Sequence, residues 1–136
     1  MSIDRGLRDE LLAAAKQART RAYTPYSGFQ VGCALLGEDG QIYMGCNIEN
    51  AAYGPTNCAE RTALFSAIAA GQLPRSFQAI AVVGDTNEPI TPCGVCRQVM
   101  VELCHPDMPV YLSNLHGQQH ETTVAALLPG AFGLKM

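Results

Sequence analysis

Residues 77–103 read FQAIAVVGDTNEPITPCGVCRQVMVEL. Phe77 to Val83 is an apolar run of strand length, the pattern of a β-strand buried on both faces. Asp85 to Thr91 is polar and broken by Pro89, so it reads as a loop. Pro92 to about Leu103 then reads as a helix, with Thr91 placed to cap it and Pro92 in its first turn. A buried strand followed by a loop and a helix is the repeating unit of an α/β sheet protein. The helix also opens on Cys93-Gly94-Val95-Cys96, a C-x-x-C pair.

The flanking sequence extends the same plan. Ile3, Leu7, Leu11, Ala14, Ala15 and Ala18 recur at helical spacing, so Ile3 to about Ala22 is a helix. Thr24-Pro25-Tyr26-Ser27-Gly28 breaks it. Phe29 to Leu36 is an apolar strand, Glu38-Asp39-Gly40 is a turn, and Gln41 to Cys46 returns as the second strand of a hairpin. Asn47 to Asn57 is a loop. Cys58 to about Ala70 is a helix, with Asn57 a candidate N-cap and Gly71 a stop. After the quoted stretch, Pro109 to Leu112 is a strand and Thr122 to Leu128 a short helix, followed by the apolar tail Leu127-Leu128-Pro129-Gly130-Ala131-Phe132. The order is α-β-β-α-β-α-β-α. We therefore expect an α/β fold, three-layer α/β/α with a mixed sheet, formed by residues 1–136 as one domain.

Composition narrows the function. The chain has 136 residues, 48% of them hydrophobic and 15% charged, which suits a globular domain with a real core. The formal net charge is −3, so no basic surface argues for a nucleic-acid partner. No apolar run reaches the length of a membrane span. The polar start Met1-Ser2-Ile3-Asp4-Arg5 is unlike a secretory signal, so the expected compartment is the cytoplasm. In that setting the six cysteines are expected to stay reduced, as ligands, nucleophiles or core residues.

A C-x-x-C alone has two readings, half a metal site or a redox pair. Cys58 breaks the tie, because it too opens a helix. Thiolates at helix N-termini have depressed pKa values, and three of them suit tetrahedral zinc. His105, His116 and His120 fall in loops or turns away from the motifs, and they read as surface residues. Cys58, Cys93 and Cys96 therefore leave one zinc position open, the arrangement of a catalytic site. Glu60 lies two residues after Cys58, in the first helical turn, placed as a general base and proton shuttle beside that position. Three thiolates on Zn²⁺ carry a net negative charge that blunts the metal's acidity. Arg61 and Arg97 each follow a motif and are candidates to donate hydrogen bonds to the sulfurs. Cys33, Cys46 and Cys104 read as core residues.

At these residues the chain resembles the small homotetrameric cytidine deaminases. The resemblance runs from Tyr23-Thr24-Pro25-Tyr26-Ser27 through four blocks to the Leu-Pro-Gly-Ala-Phe tail. The blocks are Phe29-Gln30-Val31-Gly32, Gly45-Cys46-Asn47-Ile48-Glu49-Asn50-Ala51-Ala52-Tyr53, Asn57-Cys58-Ala59-Glu60-Arg61-Thr62-Ala63 and Pro92-Cys93-Gly94-Val95-Cys96-Arg97-Gln98. C-x-E alone is weak, but the four blocks in this order are specific. Cys33 stands where alanine is more familiar. The resemblance implies one Zn²⁺ per subunit on Cys58, Cys93 and Cys96, with Glu60 moving protons. It implies that Asn47 and Glu49 hold a ribose hydroxyl, that Phe29 packs on the pyrimidine and that backbone around Ala59 meets the base. It implies that Tyr53 and Phe132 help close a site, in a neighbouring subunit of a homotetramer. The implied reaction is hydrolytic deamination of cytidine and 2'-deoxycytidine in pyrimidine salvage.

Three other functions share part of this pattern. A deaminase of nucleotides or nucleic acid would want a free cation for phosphate, yet no Lys or Arg lies between Arg21 and Arg61, nor from Gln98 to Leu134. A blasticidin-type antibiotic deaminase shares the zinc chemistry but has no use for a ribose-binding Asn47-Ile48-Glu49-Asn50. A non-catalytic zinc module would need neither Glu60 nor an open coordination position.

Overall fold

A computed structural model describes residues 3–134. Five strands form one sheet in the order β2-β1-β3-β4-β5. They are β1 (Val31–Gly37), β2 (Ile42–Cys46), β3 (Phe77–Gly84), β4 (Pro109–Asn114) and β5 (Gln119–Thr123). The helices are α1 (Arg5–Arg19), α2 (Ala59–Ala69), α3 (Gly94–Leu103) and the single turn α4 (Val124–Leu127). β3 and β4 run parallel, and every other neighbouring pair is antiparallel, so the sheet is mixed as expected.

Both faces of the sheet are covered. α1 buries Leu11, Leu12 and Ala15 against Ala34, Leu36, Ala79 and Ala81 on one face. On the other face Ala63, Leu64 and Ala67 of α2, with Met100 of α3, pack on Cys33, Leu35, Ile80 and Val82. Alternate residues of β1 and β3 thus serve opposite cores, which is why both strands read as unbroken apolar runs. Glycine sets how closely two helices approach. A Cβ on Gly32 would lie 1.9 Å from the Ala15 carbonyl of α1. A Cβ on Gly45 would lie 2.4 Å from the Ala59 carbonyl and 2.5 Å from the Ala63 amide of α2. Only a residue without a side chain lets the first turns of α2 rest on β2 at this distance.

Five details differ from the sequence reading. α1 starts at Arg5, because the Asp4 carboxylate accepts from the Leu7 amide at 2.8 Å and caps it. Phe29 precedes β1 and is not part of the strand. Asn57 and Thr91 are not the caps of α2 and α3: Cys58 and Cys93 are. Asn57 instead donates from Nδ2 to the Thr62 hydroxyl at 3.0 Å. β5 lies where a turn and the start of a helix were expected, so His120 sits in a strand. Its residues Gln119 to Glu121 are exposed at the sheet edge, and a strand with no apolar face leaves no alternation to read.

Candidate metal centre and active site

Cys58 and Cys93 are the N-caps of α2 and α3, and Cys96 lies in the first turn of α3. The two helix starts meet, and the three sulfurs lie within 4.8 Å of one another. Cys58 Sγ is 3.7 Å from Cys93 Sγ, which is 3.3 Å from Cys96 Sγ. A tetrahedral zinc with Zn–S bonds of about 2.3 Å separates its sulfurs by about 3.8 Å, so the donor set and its spacing fit that ion. Among the described residues no other cluster of His, Cys, Asp and Glu meets this geometry.

The electrostatics favour a thiolate at Cys58, while a hydrogen bond with Cys58 and burial push the Cys96 thiol up. The first-turn N–H groups of both helices have no intrahelical acceptor and aim positive charge at the cluster. The Cys96 amide donates to Cys93 Sγ at 3.4 Å. Arg61 Nη2 donates to Cys58 Sγ at 3.2 Å. A hydrogen bond from Cys96, the Arg61 guanidinium and Cys93 together hold the Cys58 thiol well below its ordinary range. Arg61 thus lies where the sequence suggested, against a sulfur. Arg97 does not: its hydrogen bonds go to the main-chain carbonyls of Pro92 and Leu127. It follows Cys96 around the helix and so faces the C-terminal segment.

Glu60 is 4% exposed, one of few charged groups in the interior. Burial pushes its carboxyl up to about 7, with the charge of Cys58 adding to the effect. A carboxyl poised near neutrality is suited to both accepting and returning a proton. Ala59, beside it, is fully buried with its carbonyl against Gly45. Cys33 and Cys104 are buried, as expected, and burial raises both thiols, Cys104 to about 12. Cys46 is only half-buried at the end of β2.

The loop carrying Asn47 and Glu49 is tied to the start of α2. Ile48 and Asn57 exchange two backbone hydrogen bonds of 2.9 Å each. Asn47 braces the segment before β1: Nδ2 donates to the Phe29 carbonyl at 2.8 Å, and Oδ1 accepts from the Val31 amide at 2.9 Å. Glu49 accepts from the Tyr26 and Ser27 amides at 3.0 and 3.1 Å, and from the Ser27 hydroxyl. These bonds, led by the hydroxyl, lower its carboxyl below the ordinary range. Ser27 Oγ also accepts from the Phe29 amide at 3.0 Å. Ser27 therefore links Glu49 to Phe29, a role the sequence did not reveal although Tyr26-Ser27 lay in the stretch where the resemblance starts.

Two cavities flank this brace. One, of about 380 Å³, is lined by Tyr26, Ser27, Glu49, Asn50, Tyr53 and Thr56. The other, of about 650 Å³, lies between Phe29 and the Thr86–Thr91 loop. Phe29 is 41% exposed, Tyr53 80% and Phe132 68%. Tyr53 holds a left-handed backbone with φ 62°, unusual for a bulky residue and a mark of local strain.

A doubly covered mixed sheet that brings three thiol sulfurs and one buried carboxyl to two helix starts defines a domain of the zinc-dependent hydrolase class. Residues 7–112 match the family model of the cytidine and deoxycytidylate deaminase zinc-binding region. The chain is 63% identical over 124 residues to a cytidine deaminase of Sporosarcina psychrophila, covering 91% of this chain and 90% of the relative. It is 61% identical over 125 residues to that of Halalkalibacterium halodurans, covering 92% and 93%. The crystal structure of cytidine deaminase from Burkholderia pseudomallei superposes with a TM-score of 0.90 at 58% identity, covering 91% of this chain and 98% of that one. The chain belongs to the cytidine deaminase family.

Proposed function

We propose that residues 1–136 act as one domain that hydrolyses cytidine and 2'-deoxycytidine to uridine and 2'-deoxyuridine, with release of ammonia, in pyrimidine salvage. One observation carries the reading: three sulfurs within 4.8 Å, with a 4%-exposed carboxyl two residues from the first of them. The cytidine deaminase names of relatives above 60% identity support the substrate. Cys58, Cys93 and Cys96 would hold one Zn²⁺ per subunit, and the ion would supply the Lewis acidity that makes water a nucleophile near neutral pH. Glu60 is placed to accept a proton from a water that adds to C4 of the base. It passes that proton to N3, then takes the proton of the hydroxyl added at C4 and gives it to the departing amine, so that ammonia leaves and a carbonyl remains at C4. Arg61 offsets the charge of the thiolates.

Substrate positioning falls to the braced loops. Asn47 and Glu49 take a ribose hydroxyl, Phe29 packs on the pyrimidine, and backbone near Ala59 meets the base. The partner is a free nucleoside. Tyr53 and Phe132, both exposed on one subunit, close the site of a neighbour in a homotetramer. All six cysteines are unpaired, which suits a reducing cytoplasm. No described helix is long and apolar enough to cross a membrane.

The test follows ultraviolet absorbance with cytidine, 2'-deoxycytidine and cytidine 5'-monophosphate, alongside sedimentation of the zinc-loaded protein. Turnover of both nucleosides, weak turnover of the nucleotide and a tetrameric mass are expected. A zinc-loaded protein inert towards cytidine overturns the substrate, and a stable active monomer overturns the shared site.

A further inference from the structure

Arg97 is next to the Cys96 ligand position, yet its guanidinium serves two stretches of backbone. Nε donates to the Pro92 carbonyl and Nη1 to the Leu127 carbonyl, each at 2.8 Å. Pro92 is buried and immediately precedes Cys93. Leu127 is the last residue of α4, which packs against α3. One planar cation thus joins the backbone at the Cys93 cap to the backbone at the head of the C-terminal segment. Gln98 continues the contact, its Nε2 donating to the Phe132 carbonyl at 3.0 Å.

We propose that Arg97 is a positioning residue: it straps the C-terminal segment, residues 127–132, to the start of α3 and through the Pro92 carbonyl fixes the Cys93 end of the metal pair. The inference rests on Cys58, Cys93 and Cys96 as the zinc ligands. Arginine suits the role because its rigid fork holds two acceptors in a fixed relation, whereas a lysine serves as a single point charge. The first backbone hydrogen bond of α3 is accepted by the Cys93 carbonyl, one residue further on, so the Pro92 carbonyl depends on this external donor. Arg97 thereby serves both the order of the tail and the retention of the metal. Loss of Arg97 is therefore felt at a sulfur as well as in the tail.

The test uses the zinc-loaded full chain and the variants Arg97→Met, Arg97→Lys and Gln98→Ala. Zinc transfer to a chromogenic chelator, the sulfur-to-metal absorption of the cobalt-substituted protein and protease cleavage of the tail are measured together. Arg97→Met is expected to release zinc roughly tenfold faster, to alter the cobalt spectrum and to expose the tail, with an unchanged far-ultraviolet dichroism. Arg97→Lys should fall between it and the unmodified protein. Gln98→Ala should expose the tail while zinc release stays near the original rate, because it does not touch Pro92. Arg97→Met with original zinc release and cobalt spectrum overturns the strap. If Arg97→Met does not fold, Arg97→Lys with unaltered release and spectrum does the same. An unmodified chain that takes up no zinc overturns the ligand set itself, and the proposal with it, before any variant is compared.

Discussion

The metal centre and the aromatic rim are built by opposite means. Cys58, Glu60, Cys93 and Cys96 ride on the first turns and caps of two helices, and those helices are seated on the sheet by Ala63, Leu64 and Met100. Tyr26, Phe29, Tyr53 and Phe132 ride on loops and a tail and are largely exposed. The chemical groups are placed by backbone geometry and core packing. Tyr26 and Phe29 are held by hydrogen bonds with the side chains of Asn47, Glu49 and Ser27, and the Phe132 backbone by one with Gln98. A site that must hold a proton donor to a fraction of an ångström draws on the rigid part of the molecule, and a site that must admit a substrate draws on the adjustable part.

The sharpest test of the rigid half is Glu60→Gln, which keeps size and loses the proton-accepting oxygen. It should lower kcat by roughly 10² to 10⁴-fold while zinc content, read by metal analysis, stays at one per chain. A variant that keeps its activity would move the proton transfer to the rim and erase the division. Gly45→Ala comes next. Its Cβ would meet the Ala59 carbonyl and the Ala63 amide, which belong to the helix that carries Cys58 and Glu60. Chemical denaturation should show a loss of about 1–3 kcal/mol, accompanied by lower activity because α2 must shift outward. Stability lost without activity would mean that the helix start is held by something other than its seat on β2.

The adjustable half should respond more mildly. Ser27→Ala removes the hydroxyl that joins Glu49 to the Phe29 amide. A net loss of about 1 kcal/mol in binding is expected, seen as a KM several-fold higher with kcat nearly unchanged. An equal fall in kcat would put Ser27 with the chemical groups. The smallest effect concerns pH. The Glu49 carboxyl lies below its ordinary 4.5 in the folded chain because Ser27 and Tyr26 donate to its charged form. Its contribution to stability is therefore present above about 4.5 and is lost as pH falls through the lowered folded value. The protection of the Tyr26 and Ser27 amides, measured against their intrinsic exchange rates, should fall on acidification in that range, and Glu49→Gln should show little protection at any pH.

Much of this was legible in the chain. The apolar runs of β1 and β3 announced strands buried on both faces, and Cys58, Cys93 and Cys96 at predicted helix starts announced a metal cluster with Glu60 beside it. The caps were misread because serine, threonine and asparagine are the usual capping residues, whereas here the cysteines take that position, and the Cys93 sulfur accepts an amide. β5 was hidden because an edge strand of Gln, His, Glu and Thr has no buried face. Arg97 was misassigned because sequence adjacency to Cys96 says nothing of which way a helix turns its next side chain.

The sequence by itself determined the residue types that chemistry demands and the periodicities that set each local element, since both are properties of short stretches of chain. Only the tertiary structure decided that two helix starts meet over one face of the sheet, that glycines at 32 and 45 let two helices settle on it, and that Ser27 and Arg97 brace the Phe29 segment and the tail. Those outcomes depend on which distant backbone groups come within hydrogen-bonding or van der Waals reach, and distances of that kind come into being only when the chain is packed.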